Sequence, residues 1–431
     1  MCIGNKTGLG VEADPKPLDV FQQVFALSMA SNATGNLKGT QSALQERMQT
    51  GLPGIISKIS SQWEVVWGPV IWKAQPENSF TGPDNSWFVA YSPSVVFDDG
   101  STHDAYVVAI AGTATYSMYD WTTENFDVGS VVDFPAWVAS GITRVPVPVK
   151  PEDVIPGGTY TANGTTAAVH TLLTEPSPPG TASAGLTLCE FLSSIPASAS
   201  TRVVFTGHSL GGALSPTIAL ALVRSHALQA EVLVYPTAGP SPGNGSFAEL
   251  FAQTFPASDT SSDVEYAVWN RNIINALDIV PQGWCTKPKQ SPAQNMNNIP
   301  PIYGTPVITF ISLCIFFLKV RANSSRTVYI PLQSRILSGG QITSTDGKVA
   351  EFLREAGKNH MSFYFGVFGV GPPEFVLEKN SVLAEKTKEE KYLGYPVIGD
   401  IEWGNEHRAE AEAIVAAVPA SEGACANDSD E

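Results

Sequence analysis

An α/β fold built on a mostly parallel central sheet follows from three features of the sequence. Short apolar runs alternate with helical stretches along the chain. One of them, Arg202 to Phe205, leads straight into Gly207-His208-Ser209-Leu210-Gly211 and out into an Ala/Leu-rich helix, Leu210 to Val223. With 431 residues, 43% of them hydrophobic, the chain suffices for one large core with additions at both ends.

Taken in order, residues 1–60 form an N-terminal helical extension. Asp19 to Met48 carries two amphipathic helical patterns, separated by Ser31-Asn32-Ala33-Thr34-Gly35-Asn36, and is expected to pack as a flap on the core. Residues 61–400 form the main domain. Its strands are predicted at Trp63 to Trp72, Trp87 to Tyr91, Ala105 to Ala111, Arg202 to Phe205, Glu231 to Tyr235 and Val264 to Ile274, the first of them an antiparallel edge. Pro146 to Pro179, rich in Pro, Gly and Thr, reads as a surface loop, and Leu186 to Ser193 as a helix. An insertion spans 282–345. A helix near Val349 to Arg354 follows, and residues 401–431 read as an acidic helix and solvated tail.

The strand–turn–helix around Ser209 has the pattern of a nucleophile elbow, where small glycines let the chain turn sharply and present a serine hydroxyl above the sheet. The pattern Gly-x-Ser-x-Gly occurs again at Gly239-Pro240-Ser241-Pro242-Gly243. Ser241 is rejected, because an elbow serine needs the N–H of the next residue as an oxyanion donor and Pro242 has none; Leu210 supplies one. A serine hydroxyl also needs a base and an orienting acid, which on such a fold come later in the chain. His407 lies on a charged helical face, His226 at a helix end, and His360 in a polar stretch, read as a turn after the helix. Asp259, Asp263 and Asp346 sit in ordinary turn sequences. Asp278 alone follows a strand-like run and is closed by Ile279-Val280-Pro281, where a carboxylate can orient an imidazole.

Gly-His-Ser209-Leu-Gly-Gly-Ala, Asn275-Ala-Leu-Asp278-Ile-Val-Pro281 and His360 with Tyr364 together resemble the class 3 (fungal-type) triacylglycerol lipase family. Ala238-Gly-Pro-Ser-Pro-Gly-Asn244 resembles its Gly-x-Pro-x-x-Gly-Asn stretch, and Tyr106 to Thr113 its strand ending in Gly-Ser/Thr. The likeness runs over roughly residues 85 to 370. It implies an α/β-hydrolase fold with a mostly parallel central sheet, an N-terminal helical extension and a long insertion between the catalytic Asp and His. The triad it implies is Ser209, Asp278 and His360, with Thr113 joining Leu210 as oxyanion donor. A departure is Ala111, which stands where the family has Arg, so that whatever the arginine anchors is held differently. The implied activity is hydrolysis of triacyl- or diacylglycerol esters; a phospholipase A1 or feruloyl-type esterase is the alternative reaction, and a catalytically silent scaffold binding lipid or protein the alternative class.

A formal charge of −16 argues against nucleic-acid partners. That charge is uneven. No acidic residue lies between Asp278 and Asp346, whereas Lys287, Lys289, Lys319, Arg321, Arg326 and Arg335 do. The same insertion holds the apolar run Val307 to Leu318. A membrane span needs about 20 apolar residues and would put Asp278 and His360 on opposite sides, so the run is either a buried element or an interfacial one whose Lys/Arg neighbours meet lipid headgroups. Thr115 to Trp121, rich in aromatics and just past Thr113, is either a lid or ordinary packing at the cleft mouth.

Five dispersed cysteines, Cys2, Cys189, Cys285, Cys314 and Cys425, do not form a disulfide framework. No signal peptide is visible, so a cytoplasmic place, or one peripheral to an internal membrane or lipid droplet, is expected over secretion. No cofactor or metal spacing is present, and a monomer is expected.

Overall fold

The computed structural model describes residues 17–114, 127–259, 264–342 and 345–371. Thr115 to Trp121 and the acidic C-terminal stretch lie outside them.

Two helices precede the sheet. Helix α1 (Val20–Ala30) opens with a capping box: Asp19 accepts from the Gln22 N–H, and the Gln22 side chain accepts from the Asp19 N–H. Helix α2 (Gln41–Ile59) is capped by Thr40. α1 is more than the flap that its sequence predicts. Val20, Phe21 and all of Val24 to Ala30 are buried, because aromatic rings close on the helix from two sides. Phe21 meets Tyr235 and Trp269 of the sheet region, and Phe25 stacks on Phe368 at 4.0 Å.

Among the described residues seven strands form the main sheet, and their order across it is their order in the chain. β1 (Glu64–Trp72), β2 (Asn85–Val96) and β3 (Thr102–Ile110) make an antiparallel edge. From β3 onward β4 (Thr201–His208), β5 (Glu231–Thr237), β6 (Asn272–Asn275) and β7 (Ser334–Leu337) run parallel. Ile110 faces Gly207, and Thr237 faces both His208 and Ile273, so the carboxyl ends of β3 to β6 finish level with one another. In an open parallel sheet that edge is where sites form. The sheet, its antiparallel edge included, carries cores on both faces. One holds α1, α2 and the rings of Tyr364, Phe365 and Phe368; the other holds α3 (Asn163–Thr174), α4 (Leu188–Ser193) and α5 (Leu210–Arg224).

The chain departs from the sequence reading in four places. Pro146 to Pro179 is not a surface loop throughout: Tyr160–Ala162 pairs with Val131–Asp133, and α3 buries Ala168, Val169, Leu172 and Leu173 in the core. Val264 to Ile274 is not one strand: Val268–Trp269 pairs antiparallel with Ser258–Asp259, and the main sheet takes only Asn272–Asn275. Asn270 makes the break. It sits at φ 61°, a left-handed backbone that asparagine tolerates, and its Oδ1 accepts from the Val234 N–H at 2.9 Å. The insertion is not wholly separate from the sheet, since its far end supplies β7, paired residue for residue with β6. And His360 is not on a turn. After α6 (Thr309–Ser324) in the insertion, it lies in a π-helical stretch, Lys358–Ser362, between α7 (Val349–Gly357) and α8 (Phe363–Phe368).

Candidate active site

Close backbone packing creates the turn at Ser209. A Cβ on Gly207 would run into the Gly211 backbone, one on Gly211 into the Ile110 carbonyl, and one on Gly212 would lie 2.6 Å from the Thr237 carbonyl oxygen. Only hydrogen fits at each place. Ser209 itself sits at φ 61°, ψ −123°, a conformation that costs a non-glycine residue about 1–3 kcal/mol. Backbone hydrogen bonds hold it there: its N–H donates to Thr237 O at 3.0 Å and its carbonyl accepts from the Gly212 N–H at 2.8 Å. Leu210 is the first residue of α5, so its N–H belongs to the helix start that has no partner within the helix.

Asp278 follows β6 and is fully buried. Oδ1 accepts from the Val280 N–H at 3.0 Å, and the His360 Nδ1–H lies 3.0 Å from Oδ1 and 2.9 Å from Oδ2. The Tyr364 hydroxyl donates to Oδ2 at 3.0 Å while accepting the Asn275 N–H at 2.9 Å. Burial first, and the Asp278 charge second, push the Tyr364 phenol well above its ordinary range, so it stays a donor. A spacing of four residues puts His360 and Tyr364 on one helix face, which is why both reach the same carboxylate. Because a carboxylate only accepts, Nδ1 carries the His360 proton and Nε2 keeps the lone pair.

His208 ties the elbow to that helix. Its Nε2–H donates to the His360 carbonyl at 2.9 Å, its Nδ1 lies 2.9 Å from the Thr237 hydroxyl, and its ring is 4.7 Å from that of His360. Burial, and then His360 beside it, hold its basicity well below that of an ordinary histidine, leaving it neutral. Hence the residue preceding Ser209 grips the backbone of His360. On the other side of the elbow, a Cβ on Gly112 would lie 2.7 Å from His208 O and 3.1 Å from Ser209 Cβ, so the β3 end carrying Thr113 is packed against the serine. The structure thus gathers Ser209, Leu210, Thr113, Asp278 and His360 at one sheet edge; Ser241 is buried in the loop just past β5, its N–H donating to Gly283 O at 2.8 Å.

Sequence reasoning missed the grip of His208 and the support of Asp278 by Tyr364. The i, i+4 spacing of His360 and Tyr364 is a signal for the second; nothing local announces the first.

The insertion lies against this edge. Ile308, Ile311 and Ile315 of the α6 region pack with Met296, Tyr303 and Phe352 and against Leu277 and Ile279, which flank Asp278. Tyr303 donates to Leu277 O at 2.8 Å. On the outer side Val307, Phe310, Leu313, Phe316 and Val320 are exposed. Among the described residues no cluster fit for a metal ion occurs, and no helix is long and apolar enough to cross a membrane.

No curated protein matches the chain. Among solved structures, M37 lipase is similar at 22% identity and TM-score 0.58, over 83% of this chain and 95% of that one. A mono- and diacylglycerol lipase from Aspergillus oryzae is similar at 18% identity and TM-score 0.33, over 61% of this chain and 72% of its own. The first of these likenesses agrees with the α/β-hydrolase fold built from the sheet order above. The sequence matches the family Lipase (class 3) over residues 107–285, from β3 through the elbow to the loop beyond Asp278. That match, over 179 of the 431 residues, makes this stretch similar to class 3 lipases and supports carboxylic ester hydrolysis of lipid esters.

Proposed function

We propose that lipid esters are hydrolysed through an acyl-enzyme on Ser209, with His360 as base, Asp278 as its orienting carboxylate, and Thr113 and Leu210 as oxyanion donors. The buried Asp278–His360 pair, fixed by Tyr364 and set beside the elbow through His208, carries this reading. As Ser209 Oγ bonds to the ester carbon, His360 Nε2 takes its proton and the carbonyl electron pair moves onto oxygen. The Leu210 N–H and the N–H and hydroxyl of Thr113 receive that charge. Collapse expels the alcohol, which leaves with the proton from His360, and water repeats the sequence on the acyl-enzyme. Asp278 stays ionised throughout and stabilises the imidazolium.

Acylglycerols, tri- or diacyl, are the substrates favoured by the family resemblance. The outer face of α6 supports a second element of the reading. Its exposed apolar stripe lies in a stretch with no acidic residue, amid exposed Lys287, Lys289, Arg321 and Arg326, and meets a lipid surface while the site works on it.

The test is reaction with a fluorophosphonate, followed by location of the adduct. Ser209 is expected to be labelled, and Ser209→Ala to lose turnover by a factor on the order of 10⁶ with its fold intact. Full turnover in that variant overturns the reading, and a panel of acylglycerol, phospholipid and aryl esters then ranks the substrates.

A further inference from the structure

The N-terminal extension reaches the active site through the side chain of Asn32, beside the edge-on contact of Phe25 with His208. Asn32 follows α1 in the turn Ser31–Asn36, and its Oδ1 accepts the Gly112 N–H at 2.9 Å across 80 residues of sequence. Its Nδ2 donates back to Ser28 O at 3.1 Å, at the end of α1. Gly112 is the residue before Thr113, and it has little room elsewhere, since a Cβ there would strike the His208 carbonyl. The β3 end is therefore held between the elbow on one side and Asn32 on the other. The sequence has Ala111 where the resembling family carries an arginine, so this stretch needs a different anchor.

We propose that Asn32 is that anchor: a positioning residue that fixes the Ala111–Gly112 peptide and, through it, the Thr113 oxyanion donors over Ser209. The inference rests on the reading of Ser209 and Thr113 given above. An oxyanion donor acts only when aimed at where charge develops, so a small rotation of the preceding peptide weakens the transition state far more than the bound ester. α1 also meets the base helix. Gln22 Nε2 donates to Phe368 O at 2.8 Å and Phe25 stacks on Phe368, so the helix just before Asn32 leans on α8, which continues directly from the π-helical stretch carrying His360. One N-terminal element thereby touches both halves of the reacting geometry.

Two variants test this on a soluble short-chain ester, so that lipid binding plays no part. Asn32→Ala removes the acceptor. Asn32→Asp keeps an acceptor and nearly the same volume but adds a negative charge beside the oxyanion position, and it guards against an Ala variant that does not fold. Both are expected to lower kcat about tenfold or more with KM within about twofold, and to weaken a boronic acid, which needs the same donors in its tetrahedral adduct, by the same factor. Asn32→Asp should recover part of its loss at high ionic strength, a response that a purely structural role would not produce. If folded Asn32→Asp keeps kcat within twofold, or loses only KM with boronate affinity unchanged, the inference is overturned while fluorophosphonate labelling of Ser209 still stands. If native Ser209 is not labelled, the underlying reading fails and this one with it.

Discussion

Asp278 is surrounded by donors from three directions, and the least expected of them is a phenol. Tyr364→Phe removes one hydrogen bond to a buried carboxylate and leaves the Asn275 N–H without its acceptor, at a cost to stability of about 1.5–3 kcal/mol. With one donor fewer, the carboxylate is held less firmly and orients the His360 ring less well. The variant is therefore expected to show lower kcat and unchanged KM, measured on a soluble ester. An unchanged rate would reduce Tyr364 to a packing residue. At this scale much was legible. Ser209 was separable from Ser241 by the missing N–H of Pro242, whereas Asp278 and His360 stood out from the other loop residues only with the family resemblance added. His208 and Asn32 were not legible, because their partners lie 152 and 80 residues away and no spacing rule links them.

Helix α6 shows how a sequence run can satisfy two readings at once. Its inner residues, Ile308, Ile311 and Ile315, fill a small core under the Asp278 loop, while Phe310, Leu313 and Phe316 project outward. An amphipathic pattern would have chosen between burial and interface; a helix apolar all round does not. Replacing Phe310 and Phe316 by Asp should cut co-sedimentation with liposomes of mixed zwitterionic and anionic lipid severalfold, while turnover of a soluble ester stays within twofold. Equal sedimentation of the folded proteins would reject the interfacial role. Other misreadings have a common origin. The split at Asn270 turns on one residue in the left-handed region and the placement of His360 on a five-residue π-helical stretch, and apolar periodicity encodes neither.

For the molecule as a whole, the mostly parallel sheet with its antiparallel edge was the most legible feature, because alternating apolar runs and helices restrict an α/β chain to few topologies. Its response to acid follows from the buried His208. A histidine whose folded-state basicity is depressed binds a proton in the unfolded chain before it does so in the folded one. Stability is then full above the ordinary histidine value of 6.5 and falls as pH drops below it, by at most about 1.4 kcal/mol per pH unit for this one group. Denaturant midpoints measured from pH 7.5 down to 5 should decline, and a large part of that decline should vanish in His208→Asn. A flat profile in the native protein would contradict the neutral, buried histidine.

The bond between Gln22 and Phe368 joins residues 346 positions apart. During synthesis at about 5–20 residues per second, α1 leaves the ribosome tens of seconds before the rings that cover it exist. For that interval an eleven-residue apolar helix has no finished binding place, so the nascent chain calls for a holdase or a slow, late closure. The last described turn of the polypeptide is what seats the first.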